Sequence, residues 1–267
     1  MQQASDFLAE SEALDRILSS LGEEDFRRET GFKAWTFETI LRHLHFWNVM
    51  AHVSLAAPDD FQEVFKPVME GMMAGTALPE IEVARFPATD LALLDEWRRG
   101  YQEVFDAFSQ ADPSERVAWA GPSMSARSSV TARQMETWAH GQAIFDELGM
   151  VRKEEDRIRN IVILGVNTFG WTFTVKQLPV PEEQPFLALI APSGEPWEFG
   201  SPDSGQFIRG AAHEFAQVVT QTRNVADTEL VFEGEAAALW MQHAQCFAGG
   251  PSEPPPPGER RTKNQDG

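Results

Sequence analysis

With 267 residues and 42% apolar side chains, the chain is long enough for one large domain or two ordinary ones. Forty-one acidic residues against 22 basic ones give a formal charge of −19, and Lys and Arg form no stripe fit to neutralise several phosphates. The balance argues against nucleic acid as a partner and against a polybasic membrane anchor.

The N-terminal part carries apolar residues at helical spacing, broken at Gly, Pro and Asp. Ala4 to Leu21 is predicted as one helix, with Phe7, Leu8, Leu14, Ile17 and Leu18 on its apolar face. Thr36 caps a second, running to about Leu55, and Asp59 or Asp60 opens a third that ends at Gly75. A fourth runs from Thr89 or Asp90 to Phe108. A fifth runs from about Ser129 to Gly149, where Thr131 and Gln134 have capping-box spacing. Helices of this length predict a bundle over residues 1–150.

Beyond Val151 the texture changes. Asp156 to Val175 reads as one long helix, after which Pro179, Pro181 and Pro185 break the chain. Phe186 to Ala191, Trp197 to Phe199 and Glu229 to Glu233 are short strand candidates, and helical patterns return at Ala211 to Thr222 and Glu235 to Phe247. The fold class is therefore α+β, with a small α+β domain over 151–249. Residues 250–267, rich in proline and charge, are expected to be a disordered tail.

No basic n-region precedes an apolar run at the N-terminus, and nowhere do ~18 uncharged apolar residues stand together. A soluble cytoplasmic protein is expected. A single cysteine, Cys246, excludes an internal disulfide and any multi-cysteine zinc site. A bound metal would have to be held by His and carboxylates.

The segment 121–142 carries such a signal. Glu136 and His140 are four residues apart in a predicted helix, so a carboxylate oxygen and an imidazole nitrogen can reach one ion. The third ligand is less clear. The second helix carries His43, His45 and His52, and His43 and His45 flank Leu44 at about 100° each, so amphipathicity does not choose between them.

Trp35-Thr36, then His43-Leu44, then Glu136-x-x-x-His140 in a later helix resembles the N-terminal domain of mycothiol-dependent maleylpyruvate isomerases and the wider DinB-like four-helix bundles. The chain is also similar to one metal-binding branch of that group at Met124-Ser125-Ala126-Arg127-Ser128, Met135-Glu136-Thr137-Trp138-Ala139-His140-Gly141-Gln142, Leu164-Gly165-Val166 and Val219-Thr220-Gln221. Asn160 and Ile163 depart from it, standing where that branch often has histidine. The resemblance implies His43, Glu136 and His140 as metal ligands and a sterol-carrier-like C-terminal domain. Two imidazoles and one carboxylate suit Zn²⁺ with a fourth position open, or Fe²⁺.

The same resemblance implies an enzyme, monomeric or homodimeric, that uses mycothiol or another low-molecular-weight thiol. The thiol would act on a small acidic or enone substrate by addition-elimination with cis-trans isomerisation, or by thiol transfer. Arg127 and Arg133 are candidates for gripping a substrate carboxylate, since guanidinium pairs in bidentate fashion. Metal-dependent hydrolysis or hydration is an alternative, and so is a noncatalytic, metal-stabilised protein that binds an apolar ligand or dimerises. Cys246 lies in an apolar helix and reads as inert filler, and His213 and His243 have no carboxylate-histidine spacing around them.

Overall fold

The computed structural model describes residues 1–263. They divide into two compact units, Met1–Ile144 and the chain from Phe145 onward, with the division falling inside one helix. The class is α+β, as expected. Among the described residues no helix is long and apolar enough to cross a membrane.

The first unit is helical: α1 Gln2–Leu18, α2 Phe37–Ala56, α3 Pro58–Met73, α4 Leu78–Arg85, α5 Asp90–Gln110 and α6 Ala126–Glu147, with a two-residue ribbon of β1 Arg116–Val117 and β2 Met124–Ser125 before α6. Helix α2 is central; α5 packs along it, α1 lies on α5, and α3 and α4 lie on α2. Its start is fixed by Thr36, whose Oγ1 accepts the Thr39 N–H at 3.1 Å. Phe7, Leu14, Leu41, Leu44, Trp97, Val104 and Phe108 are fully buried, and each such side chain contributes roughly 1.5–3 kcal/mol. Asp15 ties α1 to α5, accepting from Arg98 Nε at 2.9 Å and from the Tyr101 hydroxyl at 3.0 Å.

Two boundaries in this unit depart from expectation. Helix α6 begins at Ala126, not Ser129, because Ser125 is its cap: Ser125 Oγ accepts the Ser128 N–H at 3.1 Å. Thr131 is then interior, and the predicted capping box with Gln134 is not used. Helix α4 was not anticipated, since eight residues are too few to show a period.

In the second unit, a 3-10 turn at Asp156–Ile158 leads into α7 Arg159–Asn167 and α8 Phe169–Val175. The single helix expected there breaks at Thr168, whose φ of −98° and ψ of 15° leave the helical region while its hydroxyl donates to Leu164 O at 2.7 Å. Strands β3 Phe186–Ile190, β4 Pro196–Phe199, β5 Phe207–Ala211 and β6 Val231–Glu233 form one sheet in the order β4-β3-β5-β6, with β3 and β5 parallel and the other pairs antiparallel. Helices α9 Ala212–Val219 and α10 Glu235–His243 complete it. Gly165 lets α7 approach α9, for a Cβ there would sit 2.9 Å from Val219 Cγ2.

The segment expected to be a disordered tail is instead held as far as Lys263. Its carbonyls accept from side-chain amides, Ser252 O from Gln221 at 3.0 Å and Pro255 O from Asn224 at 2.8 Å. Gly258 N–H donates to Asp227, Arg260 to Gln221 O, and Lys263 N–H to Asp146 O. Prolines offer carbonyls without amide donors, so a proline-rich segment can be fastened by polar bonds where apolar burial is small. Residues 264–267 of the expected tail lie outside the described residues.

Candidate metal centre

Helices α2 and α6 bring His43, Glu136 and His140 together: one ligand atom from each lies within 4.8 Å of the others. Glu136 and His140 stand one turn apart, with His140 Nε2 3.0 Å from Glu136 Oε2. That same oxygen is 4.0 Å from His43 Nε2. The His43 and His140 ring centroids are 4.8 Å apart.

A fourth side chain enters from α4. Glu82 is 1% exposed, and its Oε1 lies 2.7 Å from His43 Nδ1. With Glu82 ionised, Nδ1 carries the proton and Nε2 keeps its lone pair on the side of Glu136. The sequence reading missed Glu82. Its only signal is Pro79 in the first turn of a short helix, and nothing in the linear pattern links it to His43.

Arg133 lies in the same cluster and is 2% exposed. Its Nε donates to Asn48 Oδ1 at 3.1 Å and its Nη2 to Leu44 O at 3.4 Å. Burial lowers its pKa to about 10, opposed by the charges of Glu136 and Glu82, so it remains a cation at neutral pH. Its guanidinium is thus committed inside the bundle, and the expected role of meeting a substrate carboxylate from solvent does not suit it. Arg127 does not suit that role either. It is exposed, and nine residues of helix put it on the face opposite Glu136, about 13 Å along the axis.

Electrostatics favour ligand-competent forms of Glu136 and His140. Burial alone would raise the Glu136 pKa, but the hydrogen bond and charge of His140, with Arg133 and His43, bring it to about 2. Burial is the largest influence on His140 and lowers its pKa, which favours the neutral imidazole. His45 faces elsewhere, its ring 4.5 Å from Phe86 and its Nε2 3.9 Å from Glu96. Burial, then the charge of Arg99, takes its pKa down to about 4. The choice that amphipathicity left open corresponds to two sides of α2, one turned to α6 and the other to α5.

Aromatic rings wall the cluster. Trp35 stacks on His140 at 5.8 Å and 10°, and meets His43 edge-on at 5.2 Å; Phe32 meets His140 edge-on at 5.0 Å. Both rings come from one tight turn. Trp35 N–H donates to Phe32 O at 2.8 Å, and the two residues between them, Lys33 and Ala34, have φ of 53° and 54°. That is the pattern of a type I′ turn built without Asn or Gly, at a cost of about 1 kcal/mol or more per residue. In the second unit, Cys246 is buried but lies beyond α10, which stops at His243 rather than reaching Phe247, and its N–H donates to Val219 O at 2.9 Å.

The family model described as the mycothiol maleylpyruvate isomerase N-terminal domain matches residues 7–145. Two uncharacterized proteins of Mycobacterium tuberculosis, from strains CDC 1551 / Oshkosh and ATCC 25618 / H37Rv, are each 34% identical over 253 residues, covering 92% of this chain and 95% of theirs. Among solved structures, the mycothiol-dependent maleylpyruvate isomerase superposes with a TM-score of 0.55 at 15% identity, over 88% of this chain and 95% of that one. A histidine-to-alanine mutant of that enzyme gives 0.52 at 16% identity, over 81% and 87%. At such identities the likeness is one of fold.

Proposed function

Because this chain belongs to the mycothiol maleylpyruvate isomerase family, we propose that it is a divalent-metal enzyme whose ion, most plausibly Zn²⁺, is held by His43, Glu136 and His140. The observation that carries this reading is the charge of the cluster. Two carboxylates, Glu82 and Glu136, share the cluster with one buried guanidinium, Arg133, and burial lowers the pKa of the His140 imidazole beside them. Buried negative charge of that kind is costly unless a cation joins it. Two imidazole nitrogens and one carboxylate oxygen are also the donor set of a three-ligand zinc site with a position left for a reactant.

The ion would lower the pKa of a coordinated thiol and polarise a carbonyl oxygen. The reaction proposed is thiol addition-elimination on a small acidic or enone substrate, with mycothiol or a similar thiol as co-reactant. Thiolate sulfur adds to the carbon β to the carbonyl, the former double bond turns as a single bond, and elimination restores the alkene and the thiol. Phe32 and Trp35 keep bulk water from the imidazoles, and Glu82 holds the Nδ1 proton of His43. Arg133 balances carboxylate charge from within the bundle. Neither it nor Arg127 is assigned to substrate.

Metal analysis of purified variants tests the ligand set. His140→Ala is expected to lose stoichiometric zinc, and His45→Ala to keep it; full zinc in the first would overturn the triad. The chemistry is tested by incubating the zinc-loaded protein with a cis-enone diacid and mycothiol. Thiol-dependent appearance of the trans isomer supports the reading, whereas turnover that needs no thiol points to metal-dependent hydrolysis or hydration.

A further inference from the structure

Helix α4 presents an anomaly. Glu82, a carboxylate, is the one residue of its eight that is buried, while Leu78 and Ile81 are only partly buried against the cluster of Phe46, Met50, Phe61, Phe65 and Val68. An acidic side chain is almost never taken fully out of water unless a partner offsets the cost. The hydrogen-bond partner here is His43 Nδ1, at 2.7 Å, and Glu82 Oε2 has no partner among the described residues. An apolar residue at position 82 would pack α4 more cheaply. The position is therefore accounted for by what it does to His43.

We infer that Glu82 is the positioning residue of the centre. By accepting the Nδ1 proton it fixes the His43 tautomer and ring angle, so that Nε2 is the atom offered to an ion, and it makes docking of α4 and loading of the site one coupled event. The inference rests on the reading above that His43 is a ligand. It assigns to α4 the role of a latch, in which the buried Glu82–His43 hydrogen bond adds to the apolar packing of Leu78 and Ile81.

The test uses the full chain and measures zinc affinity by competition with a chromophoric chelator. Glu82→Ala is expected to weaken binding about 10- to 100-fold. Glu82→Gln is expected to recover part of that loss, since its amide oxygen still accepts from Nδ1, and it is the isosteric variant to rely on should the alanine protein fold poorly. A second readout is independent of activity: zinc should slow amide exchange over residues 78–85 in the wild type and not in Glu82→Ala. His43→Ala separates the two layers. If it retains zinc affinity, the ligand set fails; if it abolishes binding while both Glu82 variants bind as the wild type does, the positioning role fails. Equal exchange of 78–85 with and without zinc would likewise overturn the coupling.

Discussion

Two buried charge clusters, one in each unit, are built on opposite principles. In the second unit Asp146 and Arg223 form a bidentate pair at 2.7 and 2.6 Å, supplemented by the Thr262 hydroxyl at 3.2 Å. The anion meets its cation in bidentate geometry, with the Arg260 guanidinium near enough for both charges to act on it. In the first unit two carboxylates share one guanidinium, Arg133 donates to Asn48 and Leu44, and a Glu82 oxygen is left over. A cluster that closes on itself supports the fold, whereas one that does not close has room for a reactant or an ion.

That contrast can be broken by experiment, beginning with the largest effect. Arg223→Ala strands Asp146, so urea unfolding should show a loss of about 3–5 kcal/mol while zinc content stays at the wild-type level. A comparable loss of zinc would mean that the second cluster is not merely structural. Next comes His45, buried yet outside both clusters. Its folded pKa of about 4 lies below the unfolded 6.5, so as pH falls through that window the unfolded chain takes up the proton first and stability declines. The decline, about 3 kcal/mol from this group, is complete by pH 4. It should be absent from the urea midpoints of metal-free His45→Gln over the same pH range.

A smaller effect is expected from the ion itself. Free zinc at about a hundred times its Kd should stabilise the wild type by about 2.7 kcal/mol and leave His140→Ala unmoved in thermal melts. Smallest is Thr36→Ala, which removes the α2 cap for about 1 kcal/mol. Chemical denaturation should detect that loss without any change in zinc stoichiometry, because His43 lies two turns into a helix held by α5.

Much of this was legible in the sequence where a long period or a fixed spacing carried the information. The five long helices of the first 150 residues, the Glu136/His140 pair and the strands at 186–190 and 196–199 appear close to where pattern put them. Two failures are local, the Ser125 cap of α6 and the break at Thr168, and in the others the deciding interaction is distant in sequence. Helix α4 is held by Leu78 and Ile81 on the apolar cluster and by Glu82 on His43, 39 residues away, and β5 is interrupted in its alternation by Arg209 and Gly210, yet pairs with β3 and β6 on either side. The C-terminal segment lacks apolar residues, and its order comes from side chains of Gln221, Asn224 and Asp227. The sequence offers Arg133 as a grip for a substrate carboxylate, and only the position of Asn48 and the Leu44 carbonyl shows where its guanidinium goes.

The turn at Lys33 and Ala34 has a practical side. Its left-handed backbone is occupied by two residues ill suited to it, and it touches no proposed ligand directly; the turn acts on the centre only through the rings at either end. An engineer seeking a hardier version of this protein would begin there, with Gly in place of Ala34, keeping Lys33 because its ammonium lies over the Phe32 and Trp35 rings. Heat resistance could then be raised beside the centre while every atom offered to an ion stays as it is.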